Sequence, residues 1–387
     1  MNFGGSSWST GAPSGALAAV RSRTLPGQGH GIKDERGSAD ARRQAEYLQC
    51  RCMSPYASLP PTAALTSGSA ISDELRFPDV SRPYPPKQSR VNERNAQRPN
   101  VEGVILARYH ASMSDTVTLT LRSALDTIVE AESIVPDRFA TLSNTEIAHL
   151  PVWRGREQLA LGDLFAVEGE RSARVHLVGD LSKVDALGAA TSDGELTVDG
   201  DVGRYAGSRM SGGVLRVNGN AGDGAGLEMS GGLLDISGDA ADRVGAARLG
   251  ASKGMLGGEI IIRGKLGAEA GTRMRRGTIV CFGAGDRTGE AMIAGNVIVL
   301  GDAGSDTGRY NKRGTIVVFG SAGIPPTYAY SCTYHPPHLA LTMRYLQSRH
   351  GLQIADERVR GLYRRHCGDL AELAQGGGEI LEWASAI

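Results

Sequence analysis

The chain has 387 residues, enough for more than one folding unit, and its 42 basic and 42 acidic residues leave a formal net charge of zero. That balance gives no global field to hold nucleic acid or an anionic membrane, and no run of 18 apolar residues offers a membrane-spanning helix. Aromatic residues make up 5%, whereas glycine reaches 53 residues, about twice its usual share and without the collagen period.

Residues 1–112 are rich in Ser, Pro, Arg, Gly and Gln, as in SRPYPPKQSRVNERNAQRPN, and show no sustained period. Such a segment buries too little apolar surface to offset chain ordering. Its start lacks the basic residues and apolar centre of a signal peptide. Cys50, Cys52, Cys281, Cys332 and Cys367 form neither a C-x-x-C pair nor a disulfide framework, so a reduced, cytoplasmic protein is expected. Met113 then opens MSDTVTLTLRS, which reads as a first strand. We read Met113 as the natural start and the preceding leader as upstream sequence; the alternative is a disordered tail that docks on a partner.

Residues 113–172 form an entry cap, since a solenoid would otherwise leave its first strand edge and core open to water. Residues 173–323 repeat. Eight segments align on Gly179, Gly200, Gly219, Gly238, Gly264, Gly283, Gly301 and Gly320, with steps of 21, 19, 19, 26, 19, 18 and 19 residues. A strand-like run precedes each glycine (ARVHLV, ELTVD, VLRVN, LLDIS, EIIIR, TIVCF, NVIVL, TIVVF). After most of them comes G-x-x-G-x-x-x-G, as in Gly200/Gly203/Gly207, Gly219/Gly222/Gly226, Gly264/Gly267/Gly271 and Gly301/Gly304/Gly308. A period near 19 means stacked coils, each too small to bury a core alone.

Strand alternation sends one phase inward: Val175/Leu177, Leu196/Val198, Leu215/Val217, Leu234/Ile236, Ile260/Ile262, Ile279/Cys281, Val297/Val299 and Ile316/Val318, sixteen positions and all apolar. A second ladder is Met210, Met229, Met255, Met274 and Met292. The glycines serve as structural corners, where a positive φ or close approach of coils excludes a β-carbon. The fold class is an all-β solenoid, a right-handed parallel β-helix of about eight coils with an N-terminal β cap and a C-terminal helical tail. Left-handed acyltransferase coils would have 18 residues in three six-residue units; here each coil has one aliphatic strand. The coil of step 26 carries seven surplus residues around Ala246 to Ser252, which reads as a bulging loop.

The outward phase changes along the stack. It is polar early (Thr197, Asp199, Arg216, Asn218, Asp235, Ser237) and apolar later (Ile261, Val280, Phe282, Ile298, Leu300, Val317, Phe319). Such a stripe needs a cover. One candidate is the tail, residues 324–387, whose segment 338–375 reads as helices with Leu339, Met343 and Leu346 in helical spacing ahead of Gly351. The other is a partner protein, for which Val280, Phe282, Ile298, Leu300, Tyr328, Tyr330 and Tyr334 are the candidate contacts.

No catalytic residue and no metal site are expected. The glycine motifs recur in nearly every coil with no helix after them, unlike a dinucleotide fingerprint. Cys332, His335 and His338 in CTYHPPH lack a fourth local ligand for zinc, and a packed turn is the simpler reading. The acidic residues after the turn glycines (Asp180, Asp201, Asp223, Asp239, Asp286, Asp302, Asp306) read as solvated turn residues. His176, His366 and Cys367 offer no base and nucleophile with an orienting third group.

The repeat of G-x-x-G-x-x-x-G on 19-residue coils resembles the C subunit of formylmethanofuran dehydrogenase and the carboxy-terminal β-helix domain of glutamate synthase. Gly162-Asp163-Leu164-Phe165 and the pair Gly368-Asp369-Leu370-Ala371-Glu372 and Gly376-Gly377-Gly378-Glu379-Ile380 favour the former; the resemblance covers about residues 115–387. It implies a scaffold subunit, with the chemistry on sister subunits: an amidohydrolase-like one with metals, and a formyltransferase. In the bacterial formyltransferase/hydrolase complex of methylotrophs, a formyl group passes from tetrahydromethanopterin to a methanofuran-like carrier and is hydrolysed to formate. Arginine far outnumbers lysine, as in GC-rich bacterial genes, so this branch is expected. The alternatives are the C subunit of a tungsten or molybdenum formylmethanofuran dehydrogenase and a glutamate-synthase-like domain.

Overall fold

A computed structural model describes residues 116–370 and 377–385; the leader, with Cys50 and Cys52, the expected start Met113, and Ala371, Glu372 and Gly376 of the terminal motifs lie outside the described residues. The entry cap supplies β1 (Val117–Leu121), β2 (Val129–Glu130), β3 (Pro151–Arg154), β4 (Glu157–Ala160) and β5 (Phe165–Glu168), with short helices at Pro136–Phe139, Asn144–Ala148 and Leu161–Leu164. Asn144–Ala148 starts at a reciprocal cap: Glu146 accepts from the Ser143 N–H at 2.8 Å while the Ser143 hydroxyl accepts from the Glu146 N–H.

The coils follow as β6 (Arg174–Val178), β7 (Val184–Asp185), β8 (Glu195–Asp199), β9 (Ser211–Val217), β10 (Gly231–Ile236), β11 (Glu259–Ile262), β12 (Thr278–Cys281), β13 (Asn296–Val299) and β14 (Thr315–Val318). All but β7 stack in parallel, and β7 joins β2, β3 and β4 in a separate four-stranded sheet over the entry. All sixteen inward positions and all five ladder methionines are buried. Their register is continuous: Val175, Leu196, Leu215, Leu234, Ile260, Ile279, Val297 and Ile316 pair rung upon rung. β1 adds a rung below, Val117 pairing with Val175. Each buried aliphatic side chain contributes about 1.5–3 kcal/mol, and each is roofed by the next coil.

A further inner line runs two residues past most corner glycines. Leu181, Val202, Ala221, Ala240 and Leu266 bridge in succession, as do Ala284, Ala303 and Ala322. The coil of step 18 shows how the line copes with a deletion. Gly283 is followed at once by Ala284, whereas Gly301 and Ala303 have Asp302 between them; Ala284 still bridges Ala303.

The tail is helical only in part. It holds β15 (Ala329–Tyr334), helices Pro337–His350 and Asp356–Arg360, β16 (Leu362–Gly368) and β17 (Gly378–Ser385). β17 docks parallel to β14 and carries both faces one rung further, Ile380 on Ile316 inside and Leu381 on Val317 outside. β16 and β15 then add antiparallel, giving the order β5-β1-β6-β8-β9-β10-β11-β12-β13-β14-β17-β16-β15. The helices expected in the tail are present, but within the segment 338–375 that reads as helical, Leu362–Gly368 is strand β16; the open edge of β14 needs a strand, not a helix, to satisfy its backbone groups.

Candidate functional site

The late outer stripe is covered by the chain itself. Ile261, Val280, Ile298, Val317 and Phe319 form one buried cluster with Leu339, Met343 and Leu346 of helix Pro337–His350, and with Leu352, Ile354, Val359, Tyr363 and Leu381. The helix ends at Gly351 with a left-handed φ of 64°. There it is fastened to the coils: Arg263 pairs with Asp235 at 2.9 Å and donates to the His350 carbonyl at 3.1 Å, while His350 Nε2 lies 3.0 Å from Glu259. Arg358 closes the far end, donating to the Phe319 carbonyl at 2.6 Å with its guanidinium 3.5 Å from the Trp383 ring centroid.

This cover sorts the residues expected at a partner contact. Val280 and Ile298 are buried under the tail, so neither presents a surface to another protein. Tyr328 is buried as well; its hydroxyl donates to the Gly308 carbonyl at 2.7 Å, and burial pushes its pKa up. Leu300 and Tyr334 pack half-buried at the margin of the cluster, and burial pushes Tyr334 up to about 12. Phe282 and Tyr330 stay exposed, Tyr330 standing edge-on to His366 with ring centroids 6.0 Å apart.

The corner glycines fall into three kinds. At Gly200, Gly219, Gly264 and Gly301 a β-carbon would strike the carbonyl of the preceding coil. At Gly203, Gly222, Gly267 and Gly304 it would enter the backbone of the coil below, and at three of these also an aspartate; at Gly203, Asp185 Oδ1 would be 2.5 Å away. Gly207, Gly226, Gly271 and Gly308 instead take φ of 63–75°, the left-handed region that favours glycine.

The acidic corner residues accept hydrogen bonds from the backbone. Asp201 Oδ1 accepts the N–H of Asn220, Asn220 Oδ1 that of Asp239, and Asp239 Oδ1 that of Lys265, each at 2.7–2.8 Å. A second line three residues on does the same: Asp223 to Asp242 N, Asp242 to Ala268 N, and Asp286 to Ser305 N. The Ser305 and Ser321 amides hold Asp286 and Asp302 below the usual carboxylate range. Asp180 accepts within its own turn, from Ser182 N at 3.0 Å. Sequence reasoning placed these residues in turns but missed that they bond from coil to coil; the signal was their recurrence at one offset from the corner glycine.

The remaining candidates are not assembled into chemistry. His176 Nε2 lies 2.6 Å from Asp199, which also accepts from Asn218 at 2.7 Å; the amide first and the imidazole second hold Asp199 low. No hydroxyl or thiol is bonded to His176 among the described residues. His335 Nδ1 lies 3.1 Å from the Gly361 carbonyl, Cys332 sits in β15 and His338 in the next helix. Among the described residues no group of three or more His, Cys, Asp or Glu could hold a metal ion. Burial lowers the pKa of His366.

No family model matches the chain. One chain of the crystal structure of the formyltransferase/hydrolase complex (FhcABCD) from Methylorubrum extorquens, in complex with methylofuran, superposes with a TM-score of 0.65 at 36% identity, over 69% of this chain and 99% of that one. In sequence, the C subunit of the formyltransferase/hydrolase complex Fhc of M. extorquens is 36% identical over 87 residues, 22% of this chain and 33% of the relative. The C subunit of molybdenum-containing formylmethanofuran dehydrogenase 1 from Methanosarcina barkeri is 36% identical over 94 residues, 23% of this chain and 31% of the relative. Its counterpart in tungsten-containing formylmethanofuran dehydrogenase 2 from Methanothermobacter wolfeii is 36% identical over 97 residues, 24% and 36%. These sequence matches span about a third of the length of the curated relatives. No helix among the described residues is long and apolar enough to cross a membrane.

Proposed function

This chain belongs to the family formed by the C subunits of formylmethanofuran dehydrogenases and formyltransferase/hydrolase complexes, and from that premise we propose that it is the scaffold of a formyltransferase/hydrolase complex. The complex moves a formyl group from formyl-tetrahydromethanopterin to a methanofuran-like carrier and hydrolyses it to formate. Its partners are an amidohydrolase-like subunit with metals and a formyltransferase subunit. The observation that carries this reading is the structural match over 99% of a chain taken from such a complex. The corner carboxylates support it, because they hold coils together and leave reactivity to neighbours. Phe282 and Tyr330 are the part of the expected contact set that a partner can reach.

A second reading, the C subunit of a tungsten or molybdenum enzyme, draws on matched segments that are as similar and slightly longer. Affinity purification of the tagged chain from its native cells separates them. Co-purification with a formyltransferase and an amidohydrolase-like protein supports the first; an iron–sulfur, tungsten or molybdenum subunit supports the second. Recovery alone at monomer mass overturns both.

A further inference from the structure

The largest insertion in the stack, around Ala246 to Ser252, rises between two clefts of 460 and 340 Å³ that share Arg243, Arg248 and Leu249. Leu249 at its crest is 88% exposed, more than any other large apolar residue described. The loop is held from its own coil and from the coils on either side. Arg243 donates to the Ala247 carbonyl at 2.7 Å, Arg273 to the Ala251 carbonyl at 2.6 Å, and Arg248 to Glu228 at 2.8 Å. An apolar side chain is therefore presented to water on a fixed support.

The flanks are layered by charge. Arg204 is 47% exposed over an Asp185 that is 6% exposed, and Arg248 is 59% exposed over a Glu228 at 16%. In both pairs the carboxylate lies beneath and the guanidinium group faces out; the first cleft also carries Glu132, 65% exposed beside an Arg209 at 43%. Tyr205 and Tyr310, one in each cleft, are overlain by Arg204 and Arg309 at 5.8 and 4.9 Å from the ring centroids. Arginine and tyrosine are enriched at the energetic centres of protein–protein contacts, and a projecting apolar side chain adds area that only a pocket can bury.

We propose that this face docks a protein subunit whose surface offers an apolar pocket for Leu249, rimmed by carboxylates that meet the outer arginines. The inference rests on the assembly proposed above. A polyanion would engage the guanidinium groups but gain nothing from Leu249, which is why a folded protein surface is the favoured occupant.

The test uses the full chain purified with its partners, with the photo-crosslinker p-benzoylphenylalanine in place of Leu249, and separately Leu249→Asp. Crosslinks from position 249 should map to one sister subunit. Leu249→Asp should recover partners at roughly one-tenth of the unsubstituted yield or less, with an unchanged melting temperature because Leu249 packs in no core cluster. Full recovery with Leu249→Asp, or crosslinks to no subunit in an intact complex, would overturn the proposal. An unsubstituted chain that recovers no subunits instead defeats the assembly itself, and the docking face with it.

Discussion

Asp242 Oδ1 accepts the backbone N–H of Ala268, one coil on, at 2.7 Å. Gly267 lies directly before that N–H, and a β-carbon there would meet both this carboxylate oxygen and, at 2.8 Å, the Asp242 nitrogen. The carboxylate and the glycine are thus one device: the bond can form only because the residue above has no side chain.

Gly267→Ala should therefore destabilise by about 1–3 kcal/mol, the usual cost of overpacking. Gly283→Ala sits at a comparable corner, where the nearest obstacle is the flexible Lys265 side chain at 3.3 Å. It should stay within about 0.5 kcal/mol of the parent. Urea denaturation of both variants checks the contrast, and equal losses would mean that the corner carboxylate is irrelevant.

The tail and the late coils should fail together. Val280→Asp places an unpaired charge in the cluster shared with Met343 and Leu346, at a cost of roughly 3–5 kcal/mol. Hydrogen exchange should show lost protection in Pro337–His350 as well as in β12. Protection lost in the strand alone would show that the helix holds itself.

Acid should loosen the coil-to-coil bonds in a defined window. The folded pKa of Asp286 and Asp302 is lowered by the Ser305 and Ser321 amides. Such a group contributes stability above its unfolded value, about 3.9, and loses it as pH falls through the folded value. Asp302→Asn keeps an acceptor oxygen, as Asn220 already does toward Asp239. Its stability should depend less on pH below about 4 than the parent's; identical acid melting profiles would contradict this.

Thiol labelling offers an independent reading of the inner wall. Cys281 is buried in the ladder, and burial pushes its thiol up to about 12. Native protein at pH 8 should be alkylated at the partly exposed Cys332 and Cys367 but not at Cys281, which should react after denaturation. Peptide mass mapping that found Cys281 labelled in native protein would break the ladder at that rung.

The inner wall was legible in the sequence because two signals coincide, strand alternation and a period near 19. Ile260 and Ile279 pair by their shared offset from Gly264 and Gly283 alone. The corner bonds were half legible. That Asp201 and Asn220 share an offset is visible, but their bonding depends on the rise between coils, which no local pattern encodes. The outer stripe told that Val280 and Ile298 needed a cover without telling which. Ile380 was hidden for a different reason: it joins the ladder after two further strands and two helices, so its separation from Ile316 fits no repeat.

The covering segment has a consequence for how the molecule is made. Val280, Ile298 and Val317 are synthesised before Met343, Tyr363 and Leu381 exist, and at about 5–20 residues per second the gap lasts on the order of several seconds. Through that interval the nascent chain displays a bare aliphatic sheet with an unpaired last edge, a target for chaperones or for a neighbouring nascent copy. Synthesis order, as much as the finished contacts, decides whether this stack closes on itself.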